Sequence, residues 1–147
     1  MSFFNDLEQI DIDGLHTSGV AIGWLAPGQE YARGEVARES FFKLAALLRN
    51  PWQPAISAGR HPCPFCRFTG GPASMEVGGS RITVGIGVVI VPSETRIFIA
   101  PSLILHYIDA HGYAPPHDFF AAVAACPEMR SIDYLKRLRA LGISLRP

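Results

Sequence analysis

A chain of 147 residues, 48% hydrophobic and 18% charged, is long enough to bury a core within one domain spanning 1–147, and too apolar to be disordered. Its 13 Lys and Arg balance its 13 Asp and Glu, so it lacks the basic excess of a nucleic-acid binder, and nucleic acid is disfavoured as a partner. The longest apolar run, residues 82–91, falls well short of the roughly 20 residues a membrane-spanning helix needs, so no membrane span is expected.

The opening residues carry four acids (Asp6, Glu8, Asp11, Asp13), no basic n-region and no signal-peptide core. An irregular lead-in with a short helical turn is expected over 1–18. Residues 19–25, Gly-Val-Ala-Ile-Gly-Trp-Leu, read as a buried strand with Trp24 in the core, ended by Pro27-Gly28. Over 35–49 the spacing of Phe41, Leu44, Ala45 and Leu48 predicts an amphipathic helix, with Arg38, Glu39 and Lys43 opposite and Asn50-Pro51 as its stop. Pro51, Pro54, Gly59 and Pro62 then mark an ordered loop leading to Cys63 and Cys66.

Gly70-Gly71-Pro72 is a turn. Met75-Glu76-Val77 forms a short strand that Gly78-Gly79 turns back. Residues 81–91 alternate with period two, which places Ile82, Val84, Ile86, Val88 and Ile90 on one face of a single strand. Gly85 and Gly87 mark a bulge or close packing within it. Pro92-Ser93-Glu94 makes the turn into a strand over 96–99. A helix follows from Pro101-Ser102 to His111 with Gly112 as its C-cap. The next starts at Pro115-Pro116 and points Phe119, Ala122, Val123 and Cys126 inward. Ser131 caps a last helix whose apolar face is Ile132, Leu135, Leu138 and Leu141. The basic cluster of Arg130, Lys136, Arg137, Arg139 and Arg146 reads as the solvated face of this helix.

The chemistry lies in two short stretches, His61-Pro62-Cys63-Pro64-Phe65-Cys66 and His106-Tyr107-Ile108-Asp109-Ala110-His111. Cysteines two residues apart aim two thiolates at one point. Two histidines separated by four residues fall within the spacing used by Cys2His2 zinc sites. Cys63, Cys66, His106 and His111 are therefore the expected ligands of a structural zinc, with His61 and His117 in reserve. The spacing carries one geometric demand: residues five apart on an ideal helix are rotated by roughly 140°, so the helix must loosen before His111, and Gly112 permits that. Three cysteines, two of them in this pair, are an odd number for a disulfide framework and point to the reducing cytoplasm.

Other chemistries fit the same residues less well. The Pro-Cys-x-x-Cys at 62–66 matches half of the zinc deaminase signature, but His16 and His61 are followed by Ser18 and Cys63 where a glutamate is needed. A Cys63-Pro64-Phe65-Cys66 thiol–disulfide pair needs a preceding strand and a helix start, and neither flank supplies them. A hydrolase-type zinc with three protein ligands would use Glu76, Asp109 or Asp118 as base, and no HExxH is present. The glycines of 78–87 form no phosphate cradle.

The chain resembles a family of small uncharacterised bacterial proteins. The resemblance rests on Ala-Ile-Gly-Trp-Leu at 21–25, on the HxCxxC at 61–66, and above all on the HYIxxHGYxPP pattern of 106–116, continuing through Phe119, Ala122, Val123, Cys126 and Pro127. It implies a bacterial domain and no particular reaction. The expected fold is α+β: a small antiparallel sheet, about four helices, and a zinc knuckle joining sheet to helix in a treble-clef-like or zinc-finger-like core. The expected role is that of a cytosolic zinc-stabilised module whose partner is another protein, with a metal- or thiol-dependent enzyme as the alternative.

Overall fold

A computed structural model of the protein describes residues 3–12, 17–53 and 61–143. The elements in chain order are β1 (Gln9–Ile12), β2 (Thr17–Ala21), α1 (Arg38–Leu47), β3 (Ser74–Val77), β4 (Ser80–Thr83), β5 (Val88–Pro92), β6 (Ile97–Pro101), α2 (Ile104–His111), α3 (His117–Ala125) and α4 (Ile132–Ala140). The fold is α+β, as expected. The lead-in is not irregular: β1 is a strand, held antiparallel to β2 with Gln9 opposite Val20. Asp13, His16 and Arg146, and the loop residues Pro54 and Gly59, lie outside the described residues.

Four strands form one sheet in the order β1-β2-β6-β5, and β3-β4 form a separate hairpin. The larger sheet is mixed, because β2 runs parallel to β6 with Ala21 opposite Ile99. β5 and β6 are antiparallel, with Ile90 opposite Ile99. Every residue of β6 is buried. That fits a central strand covered on both faces, where a continuous apolar run replaces alternation.

The single strand expected over 81–91 is two strands in two different sheets. Gly85 and Gly87 adopt φ of +82° and +76°, a region that L side chains rarely enter. They turn the chain out of β4 and into β5. Period-two alternation runs on across the break and so hides it. The 85–87 loop is then tied down: Ser102 Oγ donates to Ile86 O at 2.8 Å, Ser102 N to Gly87 O at 3.1 Å, and His61 N to Gly85 O at 2.6 Å. It therefore joins the start of the cysteine loop to the start of α2.

Helices α3 and α4 pack on β5, and α1 packs on α2 and α3. On α3 the expected face is the buried one: Phe119, Ala122, Val123 and Cys126 are all core. On α4 the face is rotated. Tyr134 and Leu138 are buried, Leu135 and Leu141 are half-buried, and Ile132 is 73% exposed. Tyr134 wins the inner position because its ring fills the core while its hydroxyl donates to Ile90 O at 2.6 Å. Ser131 Oγ caps α4 by accepting from Tyr134 N at 3.2 Å. Of the basic cluster, two members are internal clamps: Arg130 donates to Asn50 O and Pro51 O, and Arg137 to Ala125 O. Trp24 is half-buried and donates through Nε1 to Ile99 O at 3.0 Å. Among the described residues, no helix is long and apolar enough to cross a membrane.

Candidate metal centre

The cysteine loop is built by its own backbone. Cys66 N donates to Cys63 O, Gly70 N to Cys66 O and Cys63 N to Gly70 O. These bonds close residues 63–70 into a compact knuckle. Cys63 is buried at 2% exposure, and burial is the main cause that pushes its thiol above the usual cysteine range. Turns, and no helix start, follow Cys63. A raised thiol away from a helix N-terminus is the opposite of what a redox-active CxxC requires.

Gly71 seals the knuckle. Its φ is +84°, and a Cβ at this position would stand 2.7 Å from Cys63 Cβ and 3.6 Å from His106 Nε2. Conformation and space both demand glycine here. Sequence reasoning places Gly71 in a turn without assigning it to the site. A glycine pair directly after a CxxC is the signal that could have done so.

The other half of the centre comes from α2, which β6 delivers beside the knuckle. His106 is 7% exposed and His111 is half-buried. Burial, and then the neighbouring His111, hold His106 below the usual imidazole range, which disfavours its charged form. The last turn of α2 is loosened. Gly112, in the left-handed region at φ +66°, closes on Tyr107 O, five residues back instead of four. Tyr113 N bonds to the same carbonyl at 3.1 Å. This widening brings His111 round to the face of His106.

The four donor atoms, Cys63 Sγ, Cys66 Sγ, His106 Nε2 and His111 Nε2, lie within 4.8 Å of one another. Four of the six separations are 3.5 Å (Cys63 to His111), 3.3 Å (Cys66 to His106), 3.6 Å (Cys66 to His111) and 3.3 Å (His106 to His111). A tetrahedron with bonds of about 2.3 Å to sulfur and about 2.0–2.1 Å to nitrogen has edges of about 3.3–3.4 Å between nitrogens and about 3.5–3.6 Å between sulfur and nitrogen. The donor set thus fits a tetrahedral cation in chemistry, and these four edges fit it in size, within a cluster whose donor atoms span up to 4.8 Å. Hydrogen bonding alone is a poorer account, because two imidazole nitrogens at 3.3 Å can share only one proton.

Residues far along the chain hold this arrangement. Tyr31 Oη donates to His111 O at 2.8 Å, and Arg33 reaches the same carbonyl at 3.4 Å. The Phe65 ring, set between the two cysteines, packs against Tyr31, Tyr107 and His111. Nothing in the local sequence around Tyr31 signals this role, since its partner is 80 residues away.

The reserve ligands stand apart from the cluster. His61 is held by its backbone bond to Gly85 O, outside the set of converging donor atoms. His117 opens α3 in an exposed position. The candidate bases are also placed elsewhere or in solvent. Glu76 pairs loosely with Arg81 on the β3-β4 hairpin, Asp118 pairs with Arg96 at 3.2 Å, and Asp109 is exposed on α2.

No curated protein and no solved structure matches the chain. The profile of one family, described as a domain of unknown function (DUF7919), matches residues 2–124. That span takes in the knuckle, both histidines and the helices that position them, and the chain belongs to the DUF7919 family.

Proposed function

We propose that the chain is a zinc protein whose Cys63, Cys66, His106 and His111 close a structural Cys2His2 site, and that it acts in the cytosol by binding another protein. The observation that carries the metal reading is the match between the four short donor separations, 3.3–3.6 Å, and the edges of a zinc tetrahedron. Two sulfurs and two imidazoles suit a borderline-soft cation and not the oxygen-seeking Mg²⁺ or Ca²⁺. Four protein ligands leave no position for water or substrate, which favours a structural role over a hydrolytic one. The zinc would clasp the knuckle to α2, joining Cys66 to His106 across 40 positions of sequence.

The partner reading is supported by Phe68. It is 99% exposed, sits on the knuckle beside exposed Arg67, and has half-exposed Ile86 on the loop to which His61 is bonded. A large apolar side chain presented by a metal-stiffened loop is suited to filling a pocket on a partner.

Cobalt titration of metal-free protein tests the metal reading. A saturable one-to-one complex with the strong visible bands of a tetrahedral S2N2 site is expected, displaced by zinc. Weak octahedral bands, or no binding, would contradict it. For the partner reading, Phe68→Ser is expected to keep its metal and lose the association made by the wild type. A variant that retains every association would remove Phe68 from the account.

A further inference from the structure

Tyr107 sits between the two histidines of the metal centre, and its side chain is 0% exposed. Its ring meets Phe65 edge-on at 5.9 Å and His111 at 6.4 Å, so it lies against the inner side of the knuckle. Its hydroxyl is the one buried side-chain polar atom among the described residues without a hydrogen-bond partner. The other three tyrosines all have one: Tyr31 donates to His111 O, Tyr113 to Asp6, and Tyr134 to Ile90 O. Buried hydroxyls are as a rule paired, and one left alone is destabilising against a plain phenyl ring. The exception points to an acceptor that exists in one state of the protein only.

Phe65, which the Tyr107 ring meets edge-on, is flanked on the knuckle by Cys63 and Cys66, so the acceptors this side of the knuckle offers are their two sulfurs. A neutral thiol is a weak acceptor. Cation binding requires the sulfurs as thiolates, and a thiolate is a strong acceptor. Groups that hydrogen-bond metal ligands from outside orient them and tune their basicity.

We propose that Tyr107 is a positioning residue of the metal centre, whose hydroxyl donates, directly or through one buried water, to the thiolate charge of the Cys63–Cys66 pair when a divalent cation is bound. This rests on the metal reading above. It gives α2 a third hold on the knuckle, beside the two imidazoles. The hydroxyl is then a liability in the metal-free protein and an asset in the loaded one.

That opposition is testable with Tyr107→Phe in the full chain, using Co²⁺ and Zn²⁺ as probes. The metal-free variant is expected to be at least as stable to urea as the wild type. Its affinity for both ions is expected to fall about tenfold, and its sulfur-to-cobalt charge-transfer band to move to lower energy as the thiolate loses its donor. A purely structural ring would move neither affinity nor band. Equal affinity with an unchanged spectrum, while the wild type binds, overturns this proposal and leaves the metal reading standing. No binding by the wild type overturns both. If the variant does not fold, zinc-induced ultraviolet difference spectra of the wild-type protein decide. A red shift of tyrosine absorption supports the hydrogen bond, and an unchanged spectrum overturns it.

Discussion

His106 Nε2 and His111 Nε2 lie 3.3 Å apart, although five residues of regular α-helix would turn them roughly 140° away from each other. The difference is made at Gly112, whose left-handed backbone lets the last turn close on Tyr107 O. Gly112→Ala therefore tests the turn alone, because the nearest atom to an added Cβ is 4.0 Å away. It is expected to cost about 1–2 kcal/mol from backbone strain and to weaken metal binding. Gly71→Ala adds a collision with Cys63 Cβ at 2.7 Å to the same kind of strain, and is expected to cost about 2–4 kcal/mol. Urea unfolding of the metal-free forms measures both, and Gly71→Ala should be clearly the worse.

Gly19 supplies the control away from the centre. A Cβ there would stand 2.6 Å from Ile99 Cδ1 and 2.9 Å from Ile97 O, where β2 lies against β6. Gly19→Ala is expected to lower stability by about 1–3 kcal/mol. Its metal stoichiometry should equal that of the wild type, since it touches the sheet and not the knuckle.

Tyr113 pins the start of the chain to the end of α2. Its hydroxyl reaches both carboxylate oxygens of Asp6, at 2.9 and 2.8 Å, and Asp6 Oδ1 also accepts from Gly23 N at 3.0 Å. Burial, then the Asp6 charge, hold the phenol well above the usual tyrosine range. Tyr113→Phe removes a hydrogen bond to a charged group and is expected to cost about 1.5–3 kcal/mol. Thermal unfolding at neutral pH checks it, and a change below about 0.5 kcal/mol, the size of an ordinary surface substitution, would show the bond to be idle.

Cys126 gives the protein an alkaline limit. Burial pushes its thiol from 9.0 up to about 11, partly offset by Lys43 and Arg137. A raised folded-state value favours the protonated form, so its stabilisation is complete below pH 9 and is lost as pH rises through about 11. Denaturant unfolding across this window is expected to show a steeper loss for the wild type than for Cys126→Ala. Parallel curves would refute the assignment.

Much of this architecture is legible in the residues. The α3 face of Phe119, Ala122 and Val123 follows from helical period, and the Gly78-Gly79 hairpin from turn chemistry, with φ of +59° and +83°. Elsewhere a longer-range effect decides. β1 carries only two apolar residues between acids and amides, and exists because β2 offers it an edge. The 81–91 alternation conceals two strands, since glycine alone does not say whether a strand bulges or ends. On α4, Tyr134 displaces Ile132 from the core because the sheet offers a carbonyl to its hydroxyl. For the centre, spacing names the four residues that the fold brings within 4.8 Å. It does not name Gly71, Tyr31 or Phe65, whose roles depend on partners far away in sequence or on space around a backbone.

Metal analysis of the protein purified without added metal tests the central claim most directly, alongside Cys63→Ser and His106→Ala. One zinc per chain in the wild type, lost in both variants, is the predicted result. A wild type that is fully folded and free of metal would contradict the account.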